Sequence, residues 1–148
     1  MLSNIQGRTA SAFILALALG ACATSPGSIG GDKPITITFD ARVGDKPARC
    51  GETYAGVGTS KALIFLQDFR IYVSNVRLIA ANGQEVPFAL APDNQWQSDK
   101  VALLDFENAS GNCNGNAAAN NALRGPAPAG GHTGIVCEIG VPSDLNHK

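Results

Sequence analysis

The chain has 148 residues, of which 45% are hydrophobic and 16% charged, and its formal net charge is −1. That length is one domain's worth, and without a basic stripe nucleic acid is excluded as a partner. The charges are scattered, as on an ordinary solvated surface, and no acidic tail gathers cations in bulk.

Residues 1–21 carry one charge, Arg8, followed by an apolar run over 10–19. The run is too short to cross a bilayer, which needs about 20 apolar residues, and it fits the apolar region of a secretory signal. Leu19-Gly20-Ala21-Cys22 looks like a bacterial lipobox. Small residues let a peptidase grip an extended backbone, and the Cys22 sulfur accepts the diacylglycerol. Residues 1–21 therefore read as a lipoprotein signal peptide and Cys22 as the lipidation site. Two or three acyl chains hold stably where one is marginal. Ala23 in place of Asp favours the outer membrane, so the expected place is periplasmic or outer-membrane, lipid-anchored. Residues 22–33, rich in Ser, Gly and Pro, form a flexible tether. The folded part is 34–148, about 115 residues, enough for a modest single core.

Residues 35–43 alternate cleanly, with Ile35, Ile37, Phe39, Ala41 and Val43 on one face, and predict one half-buried strand. Residues 62–66 predict a short strand or a turn of helix. Phe69, Ile71 and Val73 share a face, the phase slips at Ser74-Asn75, and Val76 and Leu78 take over, as a β-bulge would produce. Asn82-Gly83 marks a hairpin, and Pro87 puts its return strand, 86–90, at an edge. Residues 101–106 form another strand. Residues 108–121 and 125–131, dominated by Asn, Ala, Gly and Pro, read as loops, with a helical turn at 117–123. The last strand alternates Ile135, Cys137, Ile139 and Val141 inward. The fold class is all-β, an antiparallel β-sandwich with long Gly/Asn/Ala-rich loops.

No nucleophile elbow, phosphate loop, CxxC, CxxCH or HExxH is present, and the chain reads as a non-enzyme. Cys50 and Cys113 occupy polar, Gly-flanked segments. In an oxidising compartment a disulfide between them is favoured, thiolate ligation of a soft metal such as Cu(I) being the alternative. Cys137 sits in phase with strand residues and reads as core filler. His132 and His147 are the two histidines and the candidate metal ligands; the strand between them keeps its ends roughly 30 Å apart. Trp96 is the single tryptophan. Asp68, Asp105 and Glu107 flank strand ends and read as solvated turn charges or backbone caps.

Three patches stand in order: Asp68-Phe-Arg-Ile-Tyr-Val-Ser-Asn-Val-Arg-Leu78, Val101-Ala-Leu-Leu-Asp-Phe-Glu107 and Gly140-Val-Pro-Ser-Asp-Leu-Asn-His147. With Phe39-Asp-Ala-Arg-Val43 and Cys50-Gly51, they resemble the bacterial metallo-mystery pair system four-Cys motif family, the MbnP-like copper-binding proteins. The resemblance implies copper as cofactor and, as partner, a di-haem MauG-like protein of the cytochrome c peroxidase family. It implies oxidation of a tryptophan to kynurenine, whose aniline and carbonyl ligate copper together with histidines. Trp96 is the candidate here, although it matches an upstream position with no histidine nearby. Family members continue past the Leu-Asn-His patch, so the resemblance implies that this chain holds the N-terminal part and that the sandwich is incomplete. The function expected is copper capture or delivery at the cell envelope. The alternatives are a surface lipoprotein that binds a protein or glycan, and a truncated, non-functional family member.

Overall fold

The computed structural model describes residues 31–146. The signal peptide, Cys22, most of the tether and His147 lie outside the described residues. The described chain is nearly all strand: β1 (Lys33–Thr38), β2 (Arg42–Val43), β3 (Lys46–Pro47), β4 (Thr53–Val57), β5 (Ala62–Phe65), β6 (Arg70–Ala80), β7 (Glu85–Pro87), β8 (Val101–Asp105), β9 (Ala122–Ala127) and β10 (His132–Ile139). One helical turn, α1 (Ser143–Asn146), follows.

The long strand β6 organises the fold. Its first half pairs with β8, from Arg70↔Asp105 to Ser74↔Val101, and its second half with β7, from Arg77↔Pro87 to Ile79↔Glu85. The other edge takes β10 antiparallel, from Ala80↔His132 to Val73↔Ile139. The two edge partners on one side meet at the phase slip expected from the sequence. Val73 and Ser74 are both buried, Asn75 has φ 48°, and the ladder to β10 shifts register between Val136 and Glu138. A bulge of this kind turns the apolar face over, so Val76 and Leu78 continue the core.

The hairpin from β6 to β7 turns on Asn82-Gly83, but only Gly83 takes a positive φ, 82°. Gly83 N–H donates to the Ala80 carbonyl at 2.8 Å, and Asn82 Oδ1 accepts the Gln84 N–H at 3.0 Å. This is a turn closed by a left-handed glycine. β7 pairs with β6 alone, and Pro87 stands on it at an edge, where a missing donor does least harm.

The second layer is β1 paired antiparallel with β9, from Lys33↔Ala127 to Thr38↔Ala122. Between the layers lie Val73, Val76, Leu78, Phe88, Leu90, Ala102, Leu104, Leu123 and Ala127, with Ile35, Ile37, Phe39 and Cys137 packed around them. The 35–43 strand is therefore broken in two. Its partner β9 begins at Ala122, so the ladder stops at Thr38, and β2 resumes as a small hairpin with β3.

The 117–123 helical turn is absent; Ala122 and Leu123 open β9. Ile139, expected inward, is 75% exposed, at the end of β10 and past the register slip between Val136 and Glu138 that breaks the alternation. The free edge of β9 is closed by a side chain. Gln97 Nε2 donates to the Arg124 carbonyl at 2.7 Å and also to the Ala91 carbonyl, while Gln97 Oε1 accepts the Arg124 N–H at 3.1 Å. The primary amide thus plays the part of one strand residue.

Candidate functional site

The three patches gather around β6. The first two form one corner: Asp105 on β8 pairs with Arg70 at the start of β6. Phe69 and Phe106 stack at a tilt with ring centroids 5.2 Å apart. Arg70 Nε donates to Asp68 Oδ1 at 2.8 Å, and a second guanidinium nitrogen reaches Oδ2. That fork holds the Asp68 carboxyl below its ordinary range and raises the Arg70 guanidinium further. Asp68 is exposed, as expected. Asp105 and Glu107 are not solvated turn charges: their exposures are 2% and 0%. Asp105 Oδ1 accepts the Glu107 N–H at 3.1 Å. Glu107 accepts the Ala109 N–H on Oε2 at 3.0 Å and the Asn116 N–H on Oε1 at 3.2 Å. A Cβ on Gly115 would lie 1.7 Å from Glu107 Oε1, so the carboxylate occupies space that only glycine leaves open. The Gly-rich stretch after Glu107 is the sequence signal that its side chain turns inward.

The same loop carries Cys113, joined to Cys50 by a disulfide with Cα atoms 5.6 Å apart. Tyr54, buried on β4, fixes the other side: its hydroxyl accepts the Arg49 N–H at 2.7 Å and donates to the Pro47 carbonyl at 2.8 Å. Cys50, Cys113 and Glu107 bring ligand atoms within 4.8 Å of one another, the one such group of three His, Cys, Asp or Glu side chains among the described residues.

Burial raises the Asp105 carboxyl, against the Glu107 N–H that lowers it. An acid raised in the folded state binds its proton more tightly there than in the unfolded chain. Its contribution therefore favours folding below the ordinary carboxyl pKa and falls as pH rises through the raised value. Asp105→Asn keeps the acceptor and removes the buried charge. We expect the variant to be more stable than the parent at pH 7 and to lose that advantage by pH 4, as read by urea denaturation at both. A parent that is as stable as the variant at pH 7 would contradict this.

The third patch continues from β10. Gly140 N–H donates to the Tyr72 carbonyl at 2.8 Å, and Asp144 on α1 pairs with Lys100 at 3.0 Å. Trp96 is half-buried nearby, in a turn organised by Asp93. Asp93 Oδ1 accepts the N–H groups of Gln95, Trp96 and Gln97 at 3.0, 2.7 and 3.0 Å. Burial raises this carboxyl, but the three donors outweigh it and the group sits below its ordinary range. Trp96 borders an open groove of about 460 Å³ that Tyr72, Pro92, Val101 and Leu103 also line.

His132 lies elsewhere. It pairs with Ala80 at the far end of β6, whereas Tyr72 beside the groove pairs with Leu103. Eight strand residues separate these points, roughly 25 Å. Thus Trp96 and His132 do not share one site, and His132 belongs to no group of three donors among the described residues. Cys137 is a half-buried thiol packed against the core.

Residues 32–148 match the MbnP family. The chain belongs to that family. In this MbnP-family chain the fold also resembles a solved structure, MbnP from Methylosinus trichosporium, at 31% identity and a TM-score of 0.63. The likeness covers 75% of this chain and 39% of that one, so this MbnP-family chain spans about two fifths of the relative's length. No curated protein matches it. The disulfide suits an extracytoplasmic compartment. No described helix is long and apolar enough to cross a membrane.

Proposed function

We propose that this chain is a non-catalytic, lipid-anchored copper-binding protein of the cell envelope, active in metal capture or delivery. In this reading residues 1–21 are removed, Cys22 carries the lipid, and 22–33 tether the folded domain to the membrane. His132 and His147 are the copper donors, imidazole being well suited to that metal. The partner is a di-haem MauG-like protein, and Trp96 is the residue that it oxidises. Indole is a donor only, whereas the aniline and carbonyl of kynurenine are competent ligands. Trp96 at the rim of an open groove is half-exposed to an oxidant that never enters the domain.

The observation that carries the reading is the family match over 32–148. The described side chains do not themselves assemble a copper set: two of the three clustered donors are joined in a disulfide, and His132 stands apart. The test is copper titration of the mature chain beside a His132→Ala, His147→Ala double variant, with bound metal measured after gel filtration. Stoichiometric copper on the parent and none on the variant is expected. Equal copper on both would overturn binding by these residues.

A second reading is favoured by the groove itself: a surface lipoprotein that takes a glycan or a protein segment against Tyr72 and Trp96. A saturable change in the fluorescence of the single tryptophan with a glycan, and none with copper, would select it.

A further inference from the structure

Glu107 is fully buried and makes no ion pair among the described residues. A buried carboxylate is costly unless its acceptor sites are met. Two backbone N–H groups meet one site on each oxygen, whereas a carboxylate has about four. The sulfurs of Cys50 and Cys113 lie within 4.8 Å of a Glu107 carboxylate oxygen. Cys113 is 6% exposed and Cys50 half-buried, so the pair is reached from the Cys50 side.

Donors at 2.0–2.3 Å from a tetrahedral Zn²⁺ stand roughly 3.4–3.8 Å apart. The two sulfurs are bonded at 2.04 Å, so once reduced they must part by about 1.7 Å to reach that spacing, and the Glu107 oxygen, within 4.8 Å of both, must close by up to about 1.3 Å. With three protein ligands, the fourth position would be left to water. Two thiolates with a carboxylate suit Zn²⁺; Cu(I) would take the thiolates and leave the hard oxygen idle.

We propose that reduction of the Cys50–Cys113 disulfide opens a Zn²⁺ site made by Cys50, Cys113 and Glu107, so that the bond gates metal binding. The reductant is a dithiol. One of its thiolates attacks Cys50 Sγ, the S–S bond breaks, and Cys113 leaves as a thiolate. The second thiol of the reductant then releases Cys50 and closes its own disulfide. Two electrons pass to the protein, and Zn²⁺ binding leaves both cysteines as thiolates with their protons in solvent. Without the ion, Glu107 repels the thiolate that forms beside it, so reduction and metal binding favour each other. The site stands apart from the copper reading and does not depend on it.

The test uses the full chain with Cys22→Ser and Cys137→Ala, which leaves only the two thiols in question. Zn²⁺ is titrated against a chromophoric chelator, before and after dithiol reduction and removal of the dithiol. One Zn²⁺ per reduced chain and none per oxidised chain is expected. Glu107→Gln should weaken binding by about tenfold or more, at least the loss seen when a supporting group is removed. In a redox titration the midpoint should rise by about 30 mV for each tenfold increase in saturating Zn²⁺. A midpoint that ignores Zn²⁺, or equal binding by oxidised and reduced chains, overturns the proposal. Should Glu107→Gln fail to fold, zinc X-ray absorption on the Glu107 chain decides: two sulfur ligands at about 2.3 Å sustain it, and any other sulfur count overturns it.

Discussion

Replacing Cys50 and Cys113 together with alanine is expected to remove about 4 kcal/mol of folding stability. The bond spans 63 residues, and closing a loop of that length in the unfolded chain carries about 4 kcal/mol in the chain-entropy account. Native domains hold roughly 5–15 kcal/mol in all, so the variant should be near its limit, with Tm lowered by roughly 15 °C. The native site gives a second reason. A Cβ on Gly111 would lie 2.3 Å from Gly51 Cα, so the two segments touch backbone to backbone beside the bond. The Tyr54 bonds stay within residues 47–54 and the Glu107 bonds within 107–116, so neither ties the two segments together once the bond is gone. Urea denaturation of the double variant measures the loss. A fall below about 1 kcal/mol would mean that the unfolded chain keeps these segments together without the bond.

Leu123→Ala should cost about 2–5 kcal/mol, the range for a large aliphatic cut back in a packed core. Leu123 is 0% exposed and pairs with Ile37 across β1 and β9. It belongs to the one cluster that joins β9 to β6 and β8. The surrounding strands are pinned by backbone ladders and by Gln97, so the cavity has little freedom to collapse. Equilibrium unfolding by circular dichroism reads the change. A loss under about 1 kcal/mol would show that the β1–β9 layer is not an integral wall of the core.

Much of the first layer was legible from residue pattern. The phase slip at Ser74-Asn75, the Asn82-Gly83 turn and Pro87 at an edge each follow from local sterics, and each is present. Cys50 and Cys113, matched through their compartment and flanking residues, do form the bond. β9 was not legible. Ala-Leu-Arg-Gly-Pro-Ala has little strand preference of its own; pairing with β1 on one edge and the Gln97 amide on the other makes it a strand. Gln97, in a polar stretch beside Trp96, gives no sign that its side chain will be buried and bonded to a backbone 27 residues away. Ile139 reads as core by alternation, yet the register slip between Val136 and Glu138 breaks that alternation.

The candidate site divides in the same way. The three ordered patches mark family membership, and the match over 32–148 bears that out. Asp105 and Glu107 read as solvated turn charges or backbone caps because they flank a strand end; Asp105 does cap the Glu107 N–H, but both are buried. Their burial comes from residues far along the chain: Gly115 vacates the space for the carboxylate, and Asn120 closes the backbone of Asp105.

By itself, the sequence determined the strand class, the bulge and hairpin at β6, the family, and the residues with chemical capacity. Those properties rest on backbone sterics, two-residue periodicity and side-chain type, all local. Only the tertiary structure decided which capable residues meet. It set Trp96 and His132 at opposite ends of β6 and put Glu107 against the Cys50–Cys113 bond. Proximity between residues tens of positions apart is fixed by sheet register and by the space that packing leaves, and neither is a property of any short stretch of chain.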